Sequence, residues 1–309
     1  MSDAGLHVVT GAFGYTGKYI AAELLRHRGT VRTLTNSLHR NNPFGDAIEV
    51  HPIDFDDQDR LVGSLRGASV LYNTYWVRYD YRRGEHDFGY QLAVENTRIL
   101  FDCARRAEVG RIVHVSVANA SGYSDWDYFR GKALLEKDLQ ESELSHAIVR
   151  PTVVFGGPEN VLINNIGWLL RHLPVFGVFG RGDYRLTPVH VEDVARACVD
   201  TAKDDRNVIL DAVGPETFTY REMIHLMADA MGLRRLIVPI PDPVALLAGR
   251  ILGLLLRDIV ITGHEIAGIR NELMYTGTDP LGTISFTEWL HSEADTLGRR
   301  YTNDLERRR

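Results

Sequence analysis

Tyr128 and Lys132 lie four residues apart in Tyr128-Phe129-Arg130-Gly131-Lys132, a spacing that puts both on one face of a helix. A phenol with an ordinary pKa near ~10 is a poor acid or base at neutral pH. An ammonium beside it favours the phenolate and brings proton exchange into a useful range. The same lysine can hold a sugar hydroxyl. A second signal is Thr10-Gly11-Ala12-Phe13-Gly14-Tyr15-Thr16-Gly17, set where an apolar strand ends and an amphipathic helix starts. So tight a turn needs residues that tolerate positive φ, and glycines let phosphates approach backbone N–H groups at the positive end of the helix. The spacing G-x-x-G-x-x-G differs from the G-x-G-x-x-G of larger dehydrogenases, but its strand-turn-helix context points to a nicotinamide dinucleotide with its pyrophosphate over the turn.

Further positions fit the rest of such a ligand. After the second strand, an acid would accept hydrogen bonds from both adenosine ribose hydroxyls. Asn36, Ser37, His39 and Arg40 stand there instead and suit a 2′-phosphate, so NADP(H) is preferred and NAD(H) is possible. Asp54-Phe55 offers a carboxylate for the adenine amine and an apolar wall, although Asp54 reads equally well as a turn or cap residue before a helix from Asp57. Ser116 ends the fifth strand, as a donor to a substrate oxygen or as a strand-end residue satisfying backbone groups. Tyr75, Trp76, Tyr79 and Tyr81, with Arg78, Arg82 and Arg83, either line an aromatic or anionic substrate site or pack under a long loop. Phe176, Phe179 and Tyr184 are candidates for a cleft wall. His190 reads as a structural connection before Glu192 and Asp193, and the histidines show no metal spacing, so no metal is expected.

The elements that must position these groups alternate between short apolar runs and 3.6-period segments, the layout of a parallel sheet with crossover helices. Strands are expected at Leu6–Thr10, Thr30–Thr35, Ala47–Ile53, Ser69–Asn73, Arg111–Val115 and Ala147–Arg150, and helices at Tyr15–Arg26, Glu85–Ala107, Tyr128–Glu141 and Val191–Lys203. Gly- and Pro-rich turns from Gly156 open a smaller α+β lobe. The expected division is a nucleotide-binding domain over 1–155, completed by about 186–212, with a substrate lobe from 156–185 and 213–309.

With 309 residues, 44% apolar and 25% charged, the chain can bury a sizeable core, and a net charge of -6 gives no reason to expect nucleic acid. Its two cysteines, Cys103 and Cys198, suggest neither a disulfide framework nor a thiolate metal site. No secretory signal is read at the N-terminus, and the expected location is cytoplasmic. The longest apolar stretch, Val244–Leu256, is interrupted by Arg250 and is shorter than the roughly 20 residues a bilayer span needs. It reads as a buried helix, with peripheral membrane contact as the lesser reading.

The glycine spacing, Asp54, Asn73-Thr74-Tyr75, Asn96, Tyr128 with Lys132, Arg150-Pro151-Thr152-Val153-Val154-Phe155-Gly156 and Pro188-Val189-His190-Val191-Glu192-Asp193 together resemble the short-chain dehydrogenase/reductase superfamily. The resemblance covers nearly the whole chain. It is strongest to the extended, epimerase-like branch and to the atypical group that contains the NADPH-holding accessory subunit of respiratory complex I. It implies a Rossmann-type, doubly wound parallel sheet of about seven strands, with a small C-terminal lobe over the nicotinamide. It also implies cofactor contacts at Gly11, Phe13, Gly14, Tyr15, Asp54, Thr74, Lys132 and Pro151 to Val153, and Thr16, Asn73 and Tyr75 beside them are further candidates for the same ligand. A homodimer through the helices expected at Glu85–Ala107 and Tyr128–Glu141 is a further implication.

One position departs from that pattern. Active members carry a serine or threonine about three residues after strand five, and the matching position here is Ala118, whose missing hydrogen bond falls to Ser116 or Asn119. Two functions follow. One is hydride transfer between a nicotinamide and a carbonyl or hydroxyl of a small molecule, with Tyr128 as acid/base and Lys132 as its partner. The other is a non-catalytic, NADP(H)-holding structural or redox-sensing protein.

Overall fold

Strands that are apolar on both faces can be buried only in a sheet covered by helices on both sides. The computed structural model describes residues 5–37, 40–77, 81–83, 86–121 and 126–307. Its first half runs through Leu6–Thr10 (β1), Tyr15–Arg26 (α1), Thr30–Leu34 (β2), Ile48–His51 (β3), Gln58–Leu65 (α2), Ala68–Asn73 (β4), Tyr90–Arg106 (α3), Arg111–Val115 (β5), Asp127–Gln140 (α4) and His146–Pro151 (β6), and Val208–Ala212 (β7) joins the same sheet. The seven strands are all parallel, in the order β7-β6-β5-β4-β1-β2-β3, a Rossmann-type sheet with flanking helices. Burial follows this order. Every residue of the interior strand β5 is buried, while the edge strand β3 leaves Glu49 and Val50 exposed.

The chain leaves β1 toward β2 on one side and returns from β3 to β4 on the other. The carboxyl ends of β1 and β4 therefore flank a topological switch point, where open α/β sheets take their ligands. Gly11 and Thr74 follow those two strand ends.

The chain divides into one unit of Met1–Pro151 with Val194–Ala212 and another of Thr152–Asp193 with Val213–Arg309. The first crossing falls at Pro151, ahead of the expected Phe155, because Val154–Phe155 pairs in parallel with Val189–His190 inside the second unit. That unit has its own core, with Phe155, Ile163, Leu170, Val178, Met227, Phe286 and Leu290 buried together.

Two expected elements differ. The helix expected from Glu85 begins at Tyr90 after an extended Gly89, because His86–Phe88 pairs antiparallel with Tyr81–Arg83. The run Val244–Leu256 is helical, over Asp242–Leu256, but it is not a buried helix. Its fully buried residues are Ala245 and Gly249, whereas Leu254 and Leu255 are 82% and 76% exposed. Small residues form its inner stripe: a Cβ on Gly249 would stand 2.6 Å from Cγ2 of Ile261, and one on Gly253 2.6 Å from the carbonyl oxygen of Asp258. Close approach on that side turns Val244, Leu247, Ile251, Leu254 and Leu255 outward, while Leu246 packs against the core. No described helix is long and apolar enough to cross a membrane.

Candidate active site

The glycine turn is built by backbone contacts, with a positive φ at Gly11 and a close approach at Gly17. Gly11 has φ +68°, donates its N–H to the carbonyl of Leu34 at 2.8 Å and accepts from Gly14 N–H at 2.7 Å. A Cβ on Gly17 would stand 2.4 Å from the Gly11 carbonyl oxygen, so the third glycine brings α1 down onto the turn. Gly14 caps α1 without a side-chain hydrogen bond, and no carboxylate stands in its first turn. The positive end of α1 is thus shaped for an anion, and Phe13, Tyr15 and Thr16 stand half-buried around it. Thr10 links this turn to the loop after β4. Its hydroxyl accepts N–H groups from Thr74 at 2.8 Å and Tyr75 at 3.1 Å, while the Thr74 hydroxyl donates to the Thr10 carbonyl at 2.6 Å.

The adenosine side is less uniform. Arg40 reaches back to the turn, its Nη1 donating to the Phe13 carbonyl at 3.5 Å. Ser37 N–H donates to the Thr35 hydroxyl at 3.0 Å, and Asn36 is exposed. His39 lies outside the described residues, as do Arg78, Tyr79 and the side chains of Tyr81, Arg82 and Arg83. Asp54 Oδ1 accepts N–H groups from Asp56 at 3.1 Å and Asp57 at 3.4 Å, which is turn geometry, while Asp57 caps α2. Phe55 packs on Tyr75 at 5.0 Å, and the Tyr75 hydroxyl accepts from Asn96 at 2.9 Å. Asn73 is fully buried. Its Oδ1 accepts from Tyr75 N–H at 3.0 Å and its Nδ2 donates to His114 Nδ1 at 3.0 Å, so it braces β4 against β5 and turns no group toward a ligand. As acceptor at Nδ1 the His114 ring is neutral, and burial together with the charge of Lys132 holds its pKa well below the usual histidine range.

Helix α4 brings Tyr128, Lys132 and Glu136 to one face by their four-residue spacing. Lys132 is 3% exposed, and its Nζ donates to the Val115 carbonyl at 2.8 Å and stands 4.4 Å from the centre of the Trp76 ring. Burial lowers its pKa to about 7, against the opposing pull of Glu136. Tyr128 meets the same indole edge-on at 5.7 Å. A Cβ on Gly131 would stand 2.8 Å from Cη2 of Trp76, so this glycine lets the indole lie against the helix. The indole Nε1 is buried without a hydrogen-bond partner among the described residues.

Ser116 does not turn toward a substrate. Its hydroxyl donates to Oε1 of Glu136, which also receives Nε of Arg150 at 2.9 Å. Ser116, expected as a donor to a substrate oxygen, thus has its proton engaged by a buried carboxylate of α4. Ala118 is fully buried and donates its N–H to the Pro151 carbonyl at 2.9 Å, and Asn119 has φ +52°. In the second unit, the Thr152 hydroxyl donates to the Thr187 carbonyl, and the Val153 carbonyl accepts from Val189 N–H at 2.9 Å. Phe176, Phe179 and Tyr184 belong to that unit's core. Phe179 and Tyr184 stack on the Tyr220 ring at 5.5 and 5.6 Å, and Tyr184 also borders a surface pocket with Gly180, Arg181, Asp183, Arg270 and Glu272.

The sequence reading held Thr10 and Arg150 only as members of motifs, with no role of their own, and missed Glu136. Glu136 had a signal, since it continues the four-residue spacing of Tyr128 and Lys132 on one helix face.

The model of a family described as NAD(P)H-binding matches residues 11–205. Mitochondrial NADH dehydrogenase [ubiquinone] 1 alpha subcomplex subunit 9 of Arabidopsis thaliana is 26% identical over 246 residues, which are 77% of this chain and 60% of that protein. The chain thus spans about three fifths of that relative's length. A ceramide reductase of Caulobacter vibrioides is 26% identical over 256 residues, 79% of this chain and 76% of the reductase. Among solved structures, a nucleoside-diphosphate-sugar epimerase from Staphylococcus aureus superposes with a TM-score of 0.73 at 12% identity, covering 92% of this chain and 99% of the epimerase, a likeness of fold.

Proposed function

We propose that this chain, which belongs to the NAD(P)H-binding family, is an NADP(H)-dependent oxidoreductase of the epimerase-like kind acting on a carbonyl or hydroxyl of a small molecule. The observation that carries this reading is the cluster of Tyr128 and Lys132 against Trp76, with Lys132 buried. A buried lysine without a task would be a costly residue to keep. The glycine cradle and the uncapped N-terminus of α1 fit the pyrophosphate of a dinucleotide, and Arg40 beside Phe13 favours the 2′-phosphorylated form. When bound, the nicotinamide supplies or accepts the hydride.

The protein's own groups then have distinct tasks. Gly11, Gly14 and the first turn of α1 offer backbone N–H groups to phosphate, Thr74 and Tyr75 hold the loop that borders it, and Phe55 walls the adenine. Lys132 holds a ribose hydroxyl and, when protonated, stabilises the Tyr128 phenolate. Tyr128 gives or takes the proton at the substrate oxygen. The reductive direction draws support from the ceramide reductase relative.

A second reading rests on Ala118. With alanine there and Ser116 committed to Glu136, neither position offers a hydroxyl to a substrate oxygen, which favours a protein that holds its dinucleotide without turnover. The relatives named as subunits of NADH dehydrogenase [ubiquinone] support a role within a larger assembly.

One experiment separates them. The purified full chain is titrated with NADPH, and its oxidation is followed against ketones, aldehydes, quinones and nucleotide sugars. The enzyme reading expects turnover that falls at least a hundredfold in Tyr128→Phe with NADPH affinity kept within twofold. Tight binding with no turnover across the panel would overturn it in favour of the second reading.

A further inference from the structure

The helix Asp242–Leu256 inverts the usual arrangement of a surface helix. Its inner stripe is Ala245, Gly249 and Gly253, and its outward face carries Val244, Leu247, Ile251, Leu254 and Leu255, each half-exposed or more. These positions follow helical spacing, so the aliphatic groups form one continuous ridge. A ridge of this kind exceeds the scattered apolar exposure of ordinary soluble surfaces.

We infer that this ridge beds into the surface of a bilayer containing anionic phospholipid, with the helix lying in the plane of the interface. Three features of the ridge select this occupant. First, its large residues are all aliphatic, so it offers no hydrogen-bonding group through which a protein partner would be specified, and a bilayer requires none. Second, the exposed charges on this helix and its cap are Arg250 and Arg257, neither of which is ion-paired to a described residue, and no outward carboxylate opposes them. Cations beside an aliphatic face complement anionic headgroups. Third, the five side chains expose roughly 600 Å² together, short of the about 800 Å² per partner of a stable protein interface, so a second copy meeting this ridge alone would be held weakly.

The geometry suits an in-plane helix. Fifteen residues make a rod about 22 Å long, and the Asp242–Leu256 segment is too short to span. The ends are pinned to the second unit: Asp242 pairs with Arg270, and Asp258, just past the helix, accepts the Tyr301 hydroxyl at 2.8 Å and the Asp304 N–H at 3.0 Å. The ridge is therefore presented on a fixed mount, and its side chains can be changed without touching the core behind it.

The test is co-sedimentation of the full chain with vesicles of phosphatidylcholine alone and of three parts phosphatidylcholine to one part phosphatidylglycerol. Binding is expected to the second kind, at least tenfold weaker in Leu254→Ser/Leu255→Ser and about tenfold weaker in Arg250→Gln/Arg257→Gln. Unchanged melting temperature and NADPH binding in both variants would show the fold intact. Absence of binding to either vesicle would overturn the inference. So would a concentration-dependent dimer that Leu254→Ser/Leu255→Ser dissolves, since a second copy would then cover the ridge. Sedimentation reads no turnover, so its result stands apart from the enzymatic reading.

Discussion

The Ser116 hydroxyl donates to Oε1 of Glu136, a carboxylate on the face of α4 that also carries Lys132. This bond ties the end of β5 to the helix, and Arg150 completes the arrangement from β6. Serine at this point is a brace.

Ser116→Ala should therefore behave as a stability variant. Glu136 keeps its ion pair with Arg150, so the loss is one buried hydrogen bond to a charged group, about 1.5–3 kcal/mol. The melting temperature should drop while the rate of NADPH oxidation, per folded molecule, stays within twofold. A hundredfold fall in kcat with unchanged melting would restore Ser116 to the substrate.

Gly17→Ala should damage dinucleotide binding more than Gly14→Ala. A Cβ at position 17 meets the Gly11 carbonyl at 2.4 Å, and neither partner is a flexible side chain, so α1 and the turn must separate. At position 14 the same atom is 3.0 Å away, a contact a small shift relieves. Fluorescence titration with NADPH should show a loss of about five- to a hundredfold for Gly17→Ala, of the size expected for about 1–3 kcal/mol of overpacking. Equal affinities in the two variants would show that the close approach of α1 does not matter to the ligand.

These groups differ in how far the sequence revealed them. The glycine turn and α1 were legible because positive φ, an apolar strand end and a helical period are all local properties. Tyr128 and Lys132 were legible for the same reason, since four-residue spacing fixes a shared face. The inward turn of Ser116 was not, because it depends on Glu136 and Arg150 arriving from two other elements. Asn73 read as a cofactor contact at a strand end, yet His114 and Tyr75 engage its side chain from inside. The 242–256 helix misled for a different reason. Counting apolar residues says that some face wants cover, but only the Ala245, Gly249, Gly253 stripe shows which face has it.

Arg40 gives the cofactor preference its own test. Its guanidinium lies at the Phe13 carbonyl, beside the turn that would hold the pyrophosphate. A 2′-phosphate there would gain a charge-assisted hydrogen bond, stronger than a neutral one. Arg40→Ala should weaken NADPH about tenfold and leave NADH within twofold, as measured by parallel titrations. An equal loss for both dinucleotides would remove Arg40 from the discrimination.

Lys132 links the site to pH. Burial lowers the folded-state pKa of its ammonium to about 7, whereas in the unfolded chain lysine keeps its proton to about 10.4. Between those values the unfolded chain binds the extra proton, so unfolding free energy rises with pH there. The rise is up to about 1.4 kcal/mol per pH unit and ends above the unfolded value. Denaturant melts of Lys132→Met should lack this component, so that the variant is more stable than the parent near pH 7, where burying the charge is costly, and loses that advantage by pH 10. The same protonation controls the chemistry. On the oxidoreductase proposal only the charged ammonium stabilises the Tyr128 phenolate, so in the free protein its help fades as pH rises through about 7. A parallel pH dependence in parent and Lys132→Met would show that this lysine keeps its proton throughout, and would return it to a permanent positive charge beside Tyr128.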